Sequence, residues 1–391
     1  MKVILYDFSF RQHLPGKSGL SSVVWEYVPR LAKLDVEVHV VGPYRSVLPD
    51  PVEGVTTHAH PFPSGGKSNV LMHAVTIHAG WRYIRQHLPD ADLIHSFEYL
   101  SSAILGRLTN IPTVLTVPGN IFERRASGYN PFDPITTRAY QLAALSTVRT
   151  ISHIIAISEN ERSWWISFGM DEARITTLPY GVDIGYFKPV ADADTQVGWT
   201  PDIKHVLFVG RLSHEKGVLL LLQAFERLVD NHPDTHLHII GDGPDSDRIN
   251  AFLADHASLV GRVTLHGWVV KSDLPTYYAA AHLLMVPSLT EPLGRVVMEG
   301  LASGTPVIGA QVGGIPDLIQ DGETGFLFTK GDVDALTNCL RDALENPQRV
   351  AEMSNRAVQY ARDYLSLEYI AEQTVQQVYN TVVTERTKQS E

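Results

Sequence analysis

The 391-residue sequence contains one cysteine, Cys339. A single thiol excludes an intramolecular disulfide and any zinc site built on several cysteines. No run of about 18 apolar residues occurs, so no membrane-spanning helix is expected. The opening Met1-Lys2-Val3-Ile4-Leu5-Tyr6-Asp7 turns polar too soon for the apolar core of a secretory leader. With neither feature, the cytoplasm is the expected compartment. Positive charge is scarce in the second half. Residues 1–188 hold 17 Lys+Arg against 16 Asp+Glu, whereas the remainder holds 15 against 27. An acidic half argues against a nucleic-acid partner, whose phosphates require a basic face. The near-neutral first half stays compatible with peripheral contact at an anionic membrane surface. Charged residues make up 19% and hydrophobic residues 44%, which excludes a disordered chain.

What is present is an alternation of apolar runs and helical patterns. Lys2 to Tyr6 reads as a strand, and Pro15-Gly16-Lys17-Ser18-Gly19-Leu20 leads from it into a helix. That helix carries Leu20, Val23, Val24, Tyr27, Val28 and Leu31 at helical spacing, and Pro29 is expected to kink or shorten it. Val36 to Val41 is the next strand, so the chain opens with a βαβ unit and a parallel sheet. Further strands are expected around Asp92 to His95, Pro112 to Val117 and Ile154 to Ser158, the last followed by a helix containing Trp164 and Trp165. Residues 185–203 hold Pro189, Gly198 and Pro201 without periodicity and read as a linker. Asp192-Ala193-Asp194 within it reads as solvated acids, not as a metal site. A second series follows: strands at His205 to Val209, His236 to Ile240, Val263 to Val269, Ala281 to Val286 and Pro306 to Gly309, with a helix at Val218 to Leu228. The fold class is therefore α/β, with two Rossmann-like domains at 1–184 and 204–365 and an amphipathic C-terminal helix within 366–391.

The chemistry concentrates at strand ends. After the run Ala281 to Val286 comes Ser288-Leu289-Thr290-Glu291-Pro292-Leu293-Gly294-Arg295, then Val296 to Gly300. Pro292 suits the first turn of a helix, where a missing N–H leaves no partner unsatisfied. A helix N-terminus at the carboxyl edge of a sheet attracts anions, phosphates above all. Glu291 and Glu299 bracket that start. With all intervening residues helical they would stand about 12 Å apart along the axis. That exceeds the roughly 5–9.5 Å of a glycosidase acid–base pair, so they suit two parts of one elongated ligand. Arg211 and Lys216 form a second constellation in one loop at a strand's carboxyl end. An Arg fork and a mobile Lys charge suit a diphosphate, and together can stabilise it as a leaving group without a metal or other cofactor. Gly16-x-x-Gly19 is not the dinucleotide fingerprint, so no nicotinamide site is expected.

The Glu-x7-Glu pattern of Glu291 and Glu299, with Pro292-Leu293-Gly294 after the first, resembles the signature of the family-4 retaining glycosyltransferases. Gly210-Arg211-Leu212 followed by Glu215-Lys216-Gly217 matches the family's pattern in order. The resemblance covers nearly the whole chain and is strongest from Val206 to Phe328. It implies the GT-B architecture: an acceptor domain and a nucleotide-sugar domain facing across a cleft, with the C-terminal helix crossing back to the first. By the same resemblance, Arg211 and Lys216 serve the leaving diphosphate, Glu291 the donor sugar and Glu299 the ribose. Pro292, Leu293 and Gly294 would line sugar and phosphate, Gly210, Gly241, Asp242 and Val269 the nucleotide, and Gly16, Ser18 and Gly19 a loop closing over the donor. His95, Glu98, Tyr99 and Asn120 are the acceptor-side candidates. Pro118 departs from the family, standing where it usually has a histidine. The activity implied is retaining transfer of a hexose from a nucleotide diphosphate sugar, UDP-glucose or another UDP-hexose, to a saccharide or lipid-linked acceptor. No metal, no cofactor and no protein nucleophile is called for. A UDP-sugar epimerase and a non-catalytic nucleotide-sugar-binding partner are the other readings of this architecture.

Overall fold

The computed structural model describes residues 1–6, 20–43, 52–60, 70–116 and 134–390. The chain divides into two compact units, Met1–Tyr180 with Leu367–Glu391, and Gly181–Ser366. Each unit is a parallel sheet covered by helices.

In the first unit the strands are β1 (Lys2–Tyr6), β2 (Glu37–Pro43), β3 (Val55–His60), β4 (Leu93–Ser96), β5 (Thr113–Thr116), β6 (His153–Ala156) and β7 (Ile175–Thr177). The helices between them are α1 (Leu20–Ala32), α2 (Val70–His87), α3 (Tyr99–Leu108), α4 (Pro134–Thr150) and α5 (Glu159–Ser167). The order β3-β2-β1-β4-β5-β6-β7 is the Rossmann order with one further strand. Short runs buried on both sides, such as Val3, Ile4, Leu5 and Tyr6, are what a sheet sandwiched between helices requires. Pro29 lies inside α1, which runs on to Ala32 and is not shortened by it.

The second unit repeats the plan. Its strands are β8 (Lys204–Val209), β9 (Thr235–Ile240), β10 (Val263–Gly267), β11 (Leu283–Val286), β12 (Val307–Ala310) and β13 (Gly325–Phe328). Their order is β10-β9-β8-β11-β12-β13, and every pairing is parallel. The helices that matter below are α6 (Val218–Val229), α7 (Ser246–Asp255), α8 (Leu274–Ala280) and α9 (Arg295–Ala302). In α6 the buried positions Val218, Leu221, Leu222, Phe225, Leu228 and Val229 form one stripe, and they join the core with Val206, Phe208 and Leu237 of the sheet. Truncating a side chain such as Phe225 there would cost about 3–5 kcal/mol.

One reading of the chain differs from expectation. Residues 185–203 are not a free linker: Phe187, Ala193 and Trp199 are buried, and Trp199 stacks on His238 at 3.8 Å between ring centres. An aperiodic segment can still dock through isolated large side chains, which a periodicity test does not register. The chain from Leu367 to Ser390 is helical, including a π-helical stretch at Thr374–Tyr379, and belongs to the first unit. There Ile370, Ala371, Val378, Tyr379 and Val382 share a core with Val3, Leu5, Tyr27 and Leu31.

Candidate active site

In an open parallel sheet the ligand crevice forms at the carboxyl ends of the two central strands from which the chain turns in opposite directions. In the second unit these are β8 and β11, which pair at Val206–Leu283 and Leu207–Leu284. The loop after β8 carries Gly210, Arg211 and Lys216, and the loop after β11 carries Ser288 to Gly294. The fold therefore brings both sequence constellations to one edge.

They touch. Lys216 Nζ lies 2.6 Å from Glu291 Oε2, and these side chains are 26% and 12% exposed. Ser288 is buried, and its Oγ–H donates to the same carboxylate oxygen at 3.4 Å. The loops are also joined through their backbones, since the Leu289 N–H donates to the Glu215 carbonyl at 2.8 Å. Arg211 is exposed in the same loop as Lys216. A cation and a carboxylate so close, with Arg211 in the same loop, can hold a phosphate at one end and sugar hydroxyls at the other.

Two glycines set the spacing. Gly241, at the end of β9, has φ +141°, and a Cβ there would lie 1.8 Å from the Gly210 carbonyl oxygen. Gly313, after β12, has φ +55°, and a Cβ there would lie 1.6 Å from the Glu291 carbonyl oxygen. Only glycine permits these backbones to lie against each other. The Gly314 N–H donates to that Glu291 carbonyl at 3.3 Å. The Gly313-Gly314 pair is thus the bed on which Glu291 lies.

The remaining expected residues fall as follows. Helix α9 begins at Arg295, after Gly294 at φ +100°, so Pro292 lies in a bend ahead of the helix and not in its first turn. The 12 Å helical spacing argued for Glu291 and Glu299 therefore does not apply, because only the last part of that segment is helical. Leu293 is buried behind the bend. Asp242 is exposed, and its Oδ1 accepts from the Gly243 N–H at 2.7 Å and the Ser246 hydroxyl at 3.0 Å, bracing the start of α7. Val269 is half-buried just beyond β10, on the same edge, where the Gly267 carbonyl accepts from the Gly241 N–H at 2.8 Å. Glu299, in α9, accepts the phenolic hydrogen of Tyr278 at 2.9 Å. Tyr278, Ser288 and Gly313 are the participants that sequence reasoning missed. Ser288 adjoins the motif, and the paired glycines were a visible signal, but nothing in the sequence set Tyr278 apart.

On the first unit Gly16, Ser18, Gly19, Pro118 and Asn120 lie outside the described residues. His95 is 2% exposed, with Nδ1 2.7 Å from the Tyr379 hydroxyl and Nε2 2.8 Å from Thr116 Oγ1. Burial pulls its pKa down to about 3. Glu98 caps α3, accepting from the Leu100 and Ser101 N–H groups at 2.8 and 2.7 Å. Tyr99 is buried against Trp165. These three have structural work that accounts for their presence. Among the described residues no group of three or more His, Cys, Asp or Glu is placed to hold a metal ion, and no helix is long and apolar enough to cross a membrane.

Two doubly wound parallel sheets in one chain, the second with cationic and acidic loops at its switch point, define a GT-B protein. The comparisons carry this to a family. Residues 17–186 match Glycosyltransferase Family 4, and residues 192–364 match Glycosyl transferases group 1. D-inositol 3-phosphate glycosyltransferase of Corynebacterium glutamicum is 30% identical over 72% of this chain and 71% of its own. Alpha-maltose-1-phosphate synthase of Mycolicibacterium smegmatis is 26% identical over 98% and 100%. Among solved structures, sucrose-phosphate synthase from Thermosynechococcus elongatus superposes with a TM-score of 0.80 at 22% identity, over 98% of this chain and 99% of that one. Anabaena HepE in complex with UDP does so at 0.74 and 21%, over 97% and 100%. The chain belongs to the family-4 glycosyltransferases.

Proposed function

We propose that the protein transfers a hexose from a nucleoside diphosphate sugar, with a UDP-hexose and UDP-glucose first among candidates, to a hydroxyl of a saccharide, lipid-linked or small phosphorylated acceptor. The observation that carries this reading is the Lys216–Glu291 contact at the switch point, with Arg211 in the same loop. Lys216 and Arg211 hold the diphosphate, and negative charge growing on its β-phosphate is stabilised by donors already in place. Glu291 accepts hydrogen bonds from the sugar, and its ion pair with Lys216 fixes the sugar relative to the phosphate. The acceptor hydroxyl attacks from the face the phosphate leaves, and its proton passes to the departing phosphate oxygen. Configuration at the anomeric carbon is retained with no protein nucleophile. The cations meet the charge that a metal would otherwise meet, so turnover is expected to survive chelation.

The relatives' names support a phosphorylated or polyhydroxylated acceptor, since those named for inositol 3-phosphate, maltose 1-phosphate and sucrose phosphate each concern such a compound. The UDP and UDP-glucose complexes of the Anabaena neighbour favour a uridine donor. The test is incubation with a panel of nucleotide sugars and acceptors, following released nucleotide and glycosylated product. Consumption of a UDP-hexose that rises with one acceptor supports the reading. Formation of an epimer without acceptor, or failure to consume any donor, overturns it.

A further inference from the structure

Tyr278 is fully buried in α8, 21 residues before Glu299 and on a different helix. It is held at both ends. Its phenolic O–H donates to Glu299 Oε2 at 2.9 Å, while its backbone carbonyl accepts from the buried Thr305 hydroxyl and from the Ala281 N–H at 3.0 Å. Phe187 packs edge-on against the ring, 5.9 Å between ring centres. Burial, then the charge and hydrogen bond of Glu299, raise its pKa well above the ordinary tyrosine value. It therefore remains a donor throughout the working pH range. A hydroxyl sunk in a core needs a partner, and this one has been given the half-buried carboxylate of α9 rather than a backbone carbonyl.

We propose that Tyr278 is a positioning residue, fixing the rotamer of Glu299 so that its carboxylate meets the vicinal diol of the donor's ribose. This rests on the reading of the second unit as the nucleotide-sugar site. An ionised carboxylate only accepts, with about four lone-pair positions, so it recognises groups that carry O–H. Two hydroxyls on adjacent carbons are matched only when the plane of the carboxylate is set. A side chain of three rotatable bonds takes that plane from its hydrogen-bond partners, and Tyr278 is one of them. Tyr278 thereby determines how strongly the site separates a ribonucleotide from its 2′-deoxy counterpart without touching either.

The test measures calorimetric affinities for UDP and 2′-deoxy-UDP in the full chain, with thermal stability recorded for each variant. Glu299→Gln comes first: unchanged UDP affinity there would remove the nucleotide from this site and so sink the underlying functional reading. With that effect established, Tyr278→Phe deletes one oxygen and keeps the ring. It should weaken UDP about tenfold and 2′-deoxy-UDP much less, reducing the ratio between them. KM for donor should rise with kcat little changed. In the Glu299→Gln background the same change should add nothing. Equal weakening of both nucleotides, or none, overturns the inference while leaving the functional reading standing. Should Tyr278→Phe not fold, Thr305→Val loosens the other end of the same tyrosine and must lower the ribo-to-deoxy ratio in the same direction, or the inference fails.

Discussion

Replacing Gly313 by alanine isolates the placement of Glu291 from its chemistry. The added Cβ would lie 1.6 Å from the Glu291 carbonyl oxygen and 2.7 Å from its carbon, whereas contacts under 3.0 Å are essentially never seen. The two loops must therefore part by about 1.5 Å, and alanine at φ +55° adds ~1 kcal/mol of left-handed strain. The displacement falls on the backbone of Glu291, whose side chain makes the 2.6 Å contact with Lys216. Misplacing a positioning group by about 1 Å can lower a rate ~100-fold, or about 2.7 kcal/mol in the barrier. The control is Gly331→Ala. Gly331 has φ +77°, but its nearest neighbour to a new Cβ is Leu289 Cδ2 at 3.7 Å, so it carries the strain without the collision. Both variants should unfold at reduced temperatures, Gly313→Ala the lower of the two because it carries the collision as well as the strain. In a nucleotide-release assay Gly313→Ala should lose about two decades of kcat/KM, and Gly331→Ala almost none. Equal turnover by the two would refute the placement of Glu291 in the site.

Three further outcomes are expected. Arg211→Ala should lower turnover by two or more decades, because one preorganised donor to developing charge is worth about 3–4 kcal/mol; unchanged turnover at saturating donor would remove it from the site. Glu98→Ala should lower stability by about 1 kcal/mol through loss of the α3 cap, with turnover intact; a large rise in acceptor KM instead would restore Glu98 to the acceptor site. His95, with a native pKa of about 3 set by burial, takes up its proton in the unfolded chain below pH 6.5. The unfolded state then binds more protons, so this contribution is whole above pH 6.5 and is lost as pH falls toward 3, reaching about 2 kcal/mol at pH 5. Buried His153, held down to about 4 by burial and by Arg174, acts in the same direction. Denaturant titrations at pH 7 and 5 should show the loss, and His95→Gln should shrink the difference; an unshrunk difference would place the acid sensitivity elsewhere.

Much of the fold is legible in the order of residues because the period of apolar side chains is a local property. Lys2 to Tyr6, His236 to Ile240 and the α6 stripe can be read without knowing any partner. The motif loops are legible for a related reason: Gly210-Arg211 and Glu291-Pro292-Leu293-Gly294 are contiguous. The tertiary structure decided what contiguity does not carry. Lys216 and Glu291 are 75 positions apart and meet only because β8 and β11 are neighbours in the sheet. Trp199 is a core residue because His205 of β8 and His238 of β9 lie against it, and Tyr278 matters because α9 presents Glu299 to it. The sequence sets local conformation and supplies the reactive groups. Distance between those groups is fixed by chain topology, which no local pattern encodes.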